Sequence, residues 1–202
     1  MPTILFHELV GNKIAKNDLN LDTNDFYLGL MVPDSVNAYG FASKEDRWRT
    51  HVRDENLDKW QKNIIDFYKK NKENYEETYL KGYLIHVLTD IICDKIYQNE
   101  LYPNLIKEGF DYNTAYKHYE EGIFKLECNN IDQKWWQEVK QKIKSAKILP
   151  ICGMNKQMIE DEIKYTLTKY SKMKKENIGY LKEDFADKVV ENIYFILNTY
   201  IK

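Results

Sequence analysis

His86 and Asp90 stand four residues apart in the segment GYLIHVLTDIIC, which covers residues 82–93. On a helix this spacing places both side chains on one face, about one turn apart, where an imidazole and a carboxylate can bind the same ion. Apolar residues occupy every side of that helix, so the sequence predicts that it is central and buried. Because burying an ionised carboxylate without a partner costs several kcal/mol, something must compensate for Asp90. The pair is either part of a metal site or a buried hydrogen bond that orders the core.

Three further candidate ligands precede this helix in the chain. His7 lies at the opening of the first predicted helix, and His51 lies in an otherwise irregular stretch. Asp34 directly follows a proline, where it either forms a turn or directs a carboxylate from a helix end into the interior. The fourth histidine, His118, has the Lys- and Glu-rich neighbours of a solvated helix face, so we leave it out of the candidate site.

The three arginines of the chain, Arg47, Arg49 and Arg53, all lie within seven residues and bracket His51. A guanidinium group offers a planar fork that fits a phosphate or a carboxylate, which an ammonium group does not. The three could therefore form an anion-binding rim beside a metal ligand. Alternatively, they form salt bridges with the neighbouring acids Asp46, Asp54 and Glu55.

The elements that must position these residues are predicted to be long helices. Apolar residues recur every three or four positions in residues 57–68, 135–143, 158–170 and 185–197, and another helix is expected over about residues 74–99. No run of six residues shows the alternation of a half-buried strand. The sequence therefore predicts an all-α, multi-helix fold around the buried central helix.

Shorter segments complete this interpretation. A helix that begins near Asn24 should be stopped by Pro33, and residues 35–53 look irregular. Residues 145–155 contain Pro150 and Gly153, but their apolar residues indicate a packed connection rather than a free linker. We expect a single domain over residues 1–202.

Composition excludes several classes of partner. The net charge is −2, so no broad cationic field is available to bind nucleic acid or an anionic bilayer, and we expect no nucleic-acid partner. The sequence contains no run of eighteen apolar residues, the length needed to span a membrane. His7 and Glu8 interrupt the apolar stretch that a secretory signal needs. Three cysteines without a CxxC pair fit reduced thiols, so we expect a cytoplasmic protein. The oligomeric state is left open.

Taken in order, these motifs resemble the zinc-dependent phospholipase C family. They are His7, then LGLMVPD ending at Asp34, then His51, then GYLIHVLTD from Gly82 to Asp90. The resemblance covers about residues 3–97 and implies a helical domain of the phospholipase C type. It also implies that four of these residues bind one metal ion, with His7 binding a neighbouring ion together with Asp90. The four are Asp34, His51, His86 and Asp90.

The terminal amine is a further candidate ligand for the second ion by the same resemblance. The family's additional His/His/Glu cluster has no counterpart directly after the central helix, because residues 91–101 contain no histidine. We therefore expect one ion, with a second possible. Two imidazoles and two carboxylates suit Zn²⁺, although Fe²⁺, Mn²⁺, Co²⁺ and Ni²⁺ also accept such ligands.

The sequence therefore predicts a metal-dependent hydrolase that acts on a phosphoester, either a phospholipid head group or a smaller molecule. The metal would activate a water molecule, Asp34 would serve as ligand and proton acceptor, and the arginines would bind the phosphoryl oxygens. The rival hypothesis is a non-catalytic helical binding or scaffold protein, with a structural metal or a buried His/Asp network. A phosphohydrolase of the HD type is discounted, because the chain has no His-Asp dipeptide.

Overall fold

A computed structural model describes residues 2–174 and 180–201, apart from the side chain of Glu183. Within these residues the chain forms helices joined by turns and contains no β-strand. The all-α fold expected from the apolar periodicity is therefore confirmed.

The structure has long helices at each of the places where the sequence predicts one. The α-helices are α1 (Ile4–Asn17), α2 (Asn24–Met31), α3 (Lys44–Thr50), α4 (Leu57–Asn71), α5 (Glu77–Ile96), α6 (Tyr102–Lys107), α7 (Tyr112–Cys128), α8 (Lys134–Ser145), α9 (Lys156–Lys172) and α10 (Glu183–Tyr200). Two 3₁₀ helices, Leu19–Leu21 and Val32–Asn37, and a π-helical turn, Tyr97–Leu101, complete the order.

Helix α5 is the centre of the molecule. Every residue from Gly82 to Cys93 is buried, and α5 packs against α1, α2, α4 and α10. The prediction of a buried central helix is confirmed. Helix α5 is apolar on every side because each side faces another helix. His86 and Asp90 therefore lie deep in the core of a single compact domain.

Helices α2 and α5 cross in close contact because each contributes a glycine. A Cβ atom added at Gly82 would lie 3.0 Å from the Cα atom of Gly29 and would overlap the carbonyl oxygen of Phe26. A Cβ atom added at Gly29 would likewise overlap the carbonyl oxygen of Tyr79. The two backbones approach this closely only because neither position carries a side chain.

Helix starts are set by short polar side chains that accept hydrogen bonds from the exposed backbone N–H groups. Thr23 accepts from the N–H of Phe26 at 3.1 Å and begins α2, and Asn155 accepts from the N–H of Met158 at 3.0 Å and begins α9. Helix α2 thus begins where the sequence predicts.

One local expectation between residues 32 and 53 is confirmed and one needs correction. Helix α2 ends at Met31, two residues before Pro33, and the chain continues as the 3₁₀ helix Val32–Asn37, in whose first turn the missing N–H of Pro33 costs nothing. Residues 35–53 are not irregular throughout, since α3 forms there. The Ser43 hydroxyl, which accepts from the N–H of Asp46 at 3.1 Å, begins that helix.

The connection between α8 and α9 is packed. Ile151 and Met154 are both buried in the core and form a short backbone bridge with each other. Among the helices described, none is both long and apolar enough to cross a membrane.

Candidate metal centre

Four separate elements bring the five predicted metal ligands into one cluster. His7 lies on α1, Asp34 on the 3₁₀ helix Val32–Asn37, His51 directly after α3, and His86 and Asp90 on α5. Four of the five are 1% exposed or less, and the Asp34 side chain is 18% exposed.

The hydrogen bonds of His51 and His86 fix which ring nitrogen carries the proton. Nδ1 of His86 lies 2.5 Å from the carbonyl oxygen of Leu30, and Nδ1 of His51 lies 2.9 Å from that of Arg47. A carbonyl oxygen can only accept, so Nδ1 is the protonated nitrogen in both neutral rings. Each Nε2 then presents a lone pair, the arrangement found in metal-binding histidines.

These two lone pairs point into the same space. Nε2 of His51 and Nε2 of His86 are 3.3 Å apart. Two neutral imidazoles in these tautomers cannot hydrogen-bond through Nε2, because both atoms are acceptors. A proton or a cation between them removes the conflict.

Asp90 lies beside these nitrogens without a donor of its own. Its Oδ2 atom is 3.6 Å from Nε2 of His51 and 3.9 Å from Nε2 of His86, and Oδ1 is 3.5 Å from Nε2 of His7. Among the described residues, neither carboxylate oxygen has a hydrogen-bond partner, nor does either ring nitrogen of His7. Buried polar atoms almost always have partners, so these four atoms are available to bind a ligand such as a cation.

The donor atoms form two overlapping sets, and both include His86. In one set the donors of His51, His86 and Asp90 lie within 4.8 Å of one another, and in the other those of His7, Asp34 and His86 do so. His7 also stacks on His86 with ring centroids 3.7 Å apart. The terminal amine suggested as a further ligand belongs to Met1, outside the described residues.

Burial and mutual charge set the ionisation of this cluster. Burial lowers the pKa of His7 and that of His86, the latter to about 4, so both rings are neutral at pH 7. Burial acts in the same direction on His51, but the carboxylates of Asp34 and Asp90 outweigh it and raise the pKa of His51.

The two carboxylates respond in opposite directions. Burial raises the pKa of Asp90 to about 7. Burial also opposes ionisation of Asp34, but the neighbouring histidines outweigh it and hold the pKa of Asp34 well below its usual range. Asp34 is therefore the anionic member of the cluster at neutral pH.

His51 is held in place by contacts from two neighbouring helices. Its carbonyl oxygen accepts a 2.7 Å hydrogen bond from Nε1 of Trp60 on α4, and the Tyr83 hydroxyl on α5 donates to the carbonyl of Thr50. The next residue, Val52, has a φ of 50°, which is rare for a β-branched side chain. Such backbone strain persists only where the surroundings enforce it.

The cluster opens onto a cleft of about 940 Å³ through Asp34, the one member of the five that lines it. Tyrosines supply much of the wall. They are Tyr97, Tyr102, Tyr112, Tyr116, Tyr165 and Tyr170. Ionisable side chains also face the cleft, namely Arg47, Arg53, Asp94, Glu120, Glu162 and Lys169.

The three arginines do not act as one rim. Arg47 and Arg53 line the cleft, and Arg53 also contacts Asp94 with its Nη2 atom 3.3 Å from Oδ2. Arg49 instead contacts Asp46 at 2.9 Å and donates to the carbonyl oxygen of Cys152 at 3.2 Å. The salt-bridge alternative left open by the sequence therefore describes Arg49, and the anion-binding alternative fits the position of Arg47 and Arg53.

Two buried glutamates near the cleft were not identified from the sequence. Glu127 on α7 is 1% exposed and Glu162 on α9 is 4% exposed. A signal for Glu162 existed: it shares the buried face of α9 with Ile159, Thr166 and Tyr170, so a carboxylate interrupts an apolar stripe. Glu127 likewise follows Tyr119 and Ile123 at spacings of four on the buried face of α7.

Comparisons with protein-family models, with curated proteins and with solved structures give no significant match for this chain. The likeness to the zinc-dependent phospholipase C family, carried by the motifs around His7, Asp34, His51, His86 and Asp90, stays a prediction.

Proposed function

We propose that the protein is a metal-dependent hydrolase of phosphoesters that uses an activated water molecule. The observation that carries this proposal is the convergence of the Nε2 atoms of His51 and His86, 3.3 Å apart, on an Asp90 carboxylate that accepts no hydrogen bond within the described residues. A divalent cation satisfies all of these atoms at once, whereas a proton satisfies only one pair of them.

The residues present fit a zinc ion. His51, His86 and Asp90 offer two imidazole nitrogens and a carboxylate in one set, and Asp34, with Oδ1 3.4 Å from Nε2 of His51, offers a second carboxylate. His7 lies beside Asp90 as a ligand for a second ion. The same donors accept Fe²⁺, Mn²⁺, Co²⁺ or Ni²⁺, so zinc is the first choice and not the only one. When bound, such an ion polarises a phosphoryl oxygen and makes its bound water more acidic.

The chain's own residues would then carry out the remaining steps. Asp34 is anionic and lines the cleft, so it is placed to accept a proton from the attacking water. Arg47 and Arg53 line the same cleft and would bind the phosphoryl oxygens, whose charge increases during the reaction. Arg49 has no part in this proposal.

The substrate is proposed only as a phosphoester that fits the cleft, either a lipid head group or a smaller molecule. A hydrolase requires that its substrate reach the metal ligands. Asp34 meets this requirement because it lines the cleft, whereas the other ligands are buried. A cytoplasmic location belongs to the same proposal, and none of the three cysteines is in a disulfide bond.

The proposal is tested by metal analysis and turnover of the same preparation. We expect purified protein to bind Zn²⁺ tightly, and its zinc-loaded form to hydrolyse generic phosphodiesters until a chelator is added. His86→Ala should lose both properties, whereas His118→Ala, which changes a partly exposed histidine on α7, should lose neither. Wild-type protein that is folded but binds no divalent metal would overturn the proposal.

One observation favours a structural metal as the second candidate. His7, His51, His86 and Asp90 are almost completely buried, as in sites that only stabilise a fold. In that case His86→Ala would collapse the fold, and zinc-loaded wild-type protein would show no turnover. Loss of turnover in a His86→Ala variant that retains its helical content instead supports catalysis.

A further inference from the structure

Glu162 faces the same cleft as Asp34 but belongs to a different part of the chain. It lies on α9, which packs against the 3₁₀ helix that carries Asp34. Its side chain lines the cleft and yet is 4% exposed. A carboxyl group thus stands at the cleft wall, away from bulk water.

The hydrogen bonding of Glu162 leaves one oxygen available. Thr166 donates its hydroxyl to Oε1 at 2.9 Å, and within residues 2–174 and 180–201 no other hydrogen bond or ion pair engages the Glu162 carboxyl group. Burial raises the pKa of Glu162, the Thr166 hydrogen bond lowers it, and the charges of Asp34 and Lys169 act in opposite directions, with a net pKa of about 7. The group is therefore able to carry a proton near neutral pH.

Hydrolysis of a phosphoester needs such a proton. When the bond between phosphorus and the departing oxygen breaks, its electron pair stays on that oxygen, and an alcohol leaves poorly as its anion. A positioned acid typically accelerates such a step by about 10²–10⁴-fold. Asp34 is already assigned the roles of ligand and proton acceptor, so a second group must supply this proton.

We propose that Glu162 is the proton donor to the departing oxygen, an inference that rests on the hydrolase function proposed above. A water oxygen forms the new bond to phosphorus while Asp34 takes its proton. The bond from phosphorus to the departing oxygen breaks, and that oxygen takes the proton of Glu162. The products are a phosphoric acid derivative and an alcohol, and proton exchange with water returns both carboxyl groups to their starting states.

Glu127 provides a matched control. Burial raises its pKa also to about 7. However, its carboxylate accepts from the Thr3 hydroxyl and from the N–H of Phe6 at 3.2 Å, and it does not line the cleft. It therefore shares the burial and acidity of Glu162 without its access to substrate.

The experiment compares leaving groups. Zinc-loaded wild-type, Glu162→Gln and Glu127→Gln proteins are assayed with aryl phosphodiesters whose leaving phenols range from 4-nitrophenol to unsubstituted phenol. The anion of 4-nitrophenol leaves without a proton donor. We expect Glu162→Gln to hydrolyse the 4-nitrophenyl ester at close to the wild-type rate and the phenyl ester about 100-fold more slowly or worse. Glu127→Gln should retain the wild-type dependence on the leaving group.

The outcomes separate this inference from the proposed function. If wild-type protein hydrolyses none of the esters with zinc, the proposed function fails, and the role of Glu162 fails with it. If wild-type protein is active and Glu162→Gln slows all esters equally or none of them, Glu162 is not the proton donor. Should Glu162→Gln not fold, the wild-type pH profile decides. Turnover of the phenyl ester must then decline as pH rises above about 7, the pKa of Glu162, while turnover of the 4-nitrophenyl ester does not decline.

Discussion

Gly29 lies against Gly82 where α2 crosses α5, and this contact sets the distance between the two helices that position the metal centre. One residue beyond Gly29, the carbonyl oxygen of Leu30 accepts the hydrogen bond from Nδ1 of His86. The close helix crossing thus fixes the tautomer of a candidate ligand.

Gly82→Ala should therefore reduce both stability and zinc affinity. The added methyl group overlaps the Phe26 carbonyl oxygen, a backbone atom, so the helices must separate. We expect a loss of about 1–3 kcal/mol in the free energy of unfolding, measured by urea titration. Gly122→Ala on α7 is the control, because its added Cβ atom would meet the flexible side chain of Leu181 at 2.9 Å rather than a backbone atom of this crossing. Unchanged zinc affinity in a destabilised Gly82→Ala would contradict the proposed coupling.

Asp90→Asn should have opposite effects with and without metal. Burial raises the pKa of Asp90 to about 7, so the metal-free wild-type protein at pH 8 carries a buried charge that the variant lacks. We expect metal-free Asp90→Asn to be the more stable protein at pH 8, with the difference closing towards pH 5. With saturating zinc the order should reverse, because binding stabilises only the protein that retains the ligand. Thermal unfolding in chelator and in zinc measures both effects, and the same order in both conditions argues against Asp90 as a ligand.

Glu127→Gln should change how stability depends on pH. The pKa of Glu127 is about 7 in the folded protein against 4.5 for an exposed glutamate, so its stabilising contribution is complete below pH 4.5 and is lost as pH rises through 7. From pH 4.5 to 8 the variant should therefore gain stability relative to wild type, by on the order of 3 kcal/mol. Denaturant unfolding at several pH values measures this difference. A difference that does not vary with pH would show that Glu127 titrates normally.

Arg47→Ala and Arg49→Ala should differ although both arginines lie on α3. Arg47 lines the cleft and stacks on Phe41 at 4.0 Å, whereas Arg49 contacts Asp46. Loss of one charge-assisted hydrogen bond to a phosphoryl oxygen costs about 1.5–3 kcal/mol. We therefore expect kcat/KM for a phosphodiester to fall about 10-fold or more in Arg47→Ala and to stay near wild type in Arg49→Ala. Equal effects would remove Arg47 from the substrate site.

The sequence by itself determined the all-α fold and the burial of α5, because apolar periodicity and apolar sides report directly on which helix faces are covered. The resemblance of their motifs to a known family also predicted one site from His7, Asp34, His51, His86 and Asp90, and the structure brings these residues into one cluster. The fold predictions depend on residue types and on spacing within one element, which the linear order preserves.

Only the tertiary structure decided how residues distant in the chain meet. The separation of Arg49 from Arg47 and Arg53 depends on where α3 ends and on the packed connection near Cys152. The approach of Glu162 to the cleft of Asp34 depends on the packing of α9 against a 3₁₀ helix more than a hundred residues earlier in the chain. No local spacing encodes such contacts, because they result from the packing of whole helices.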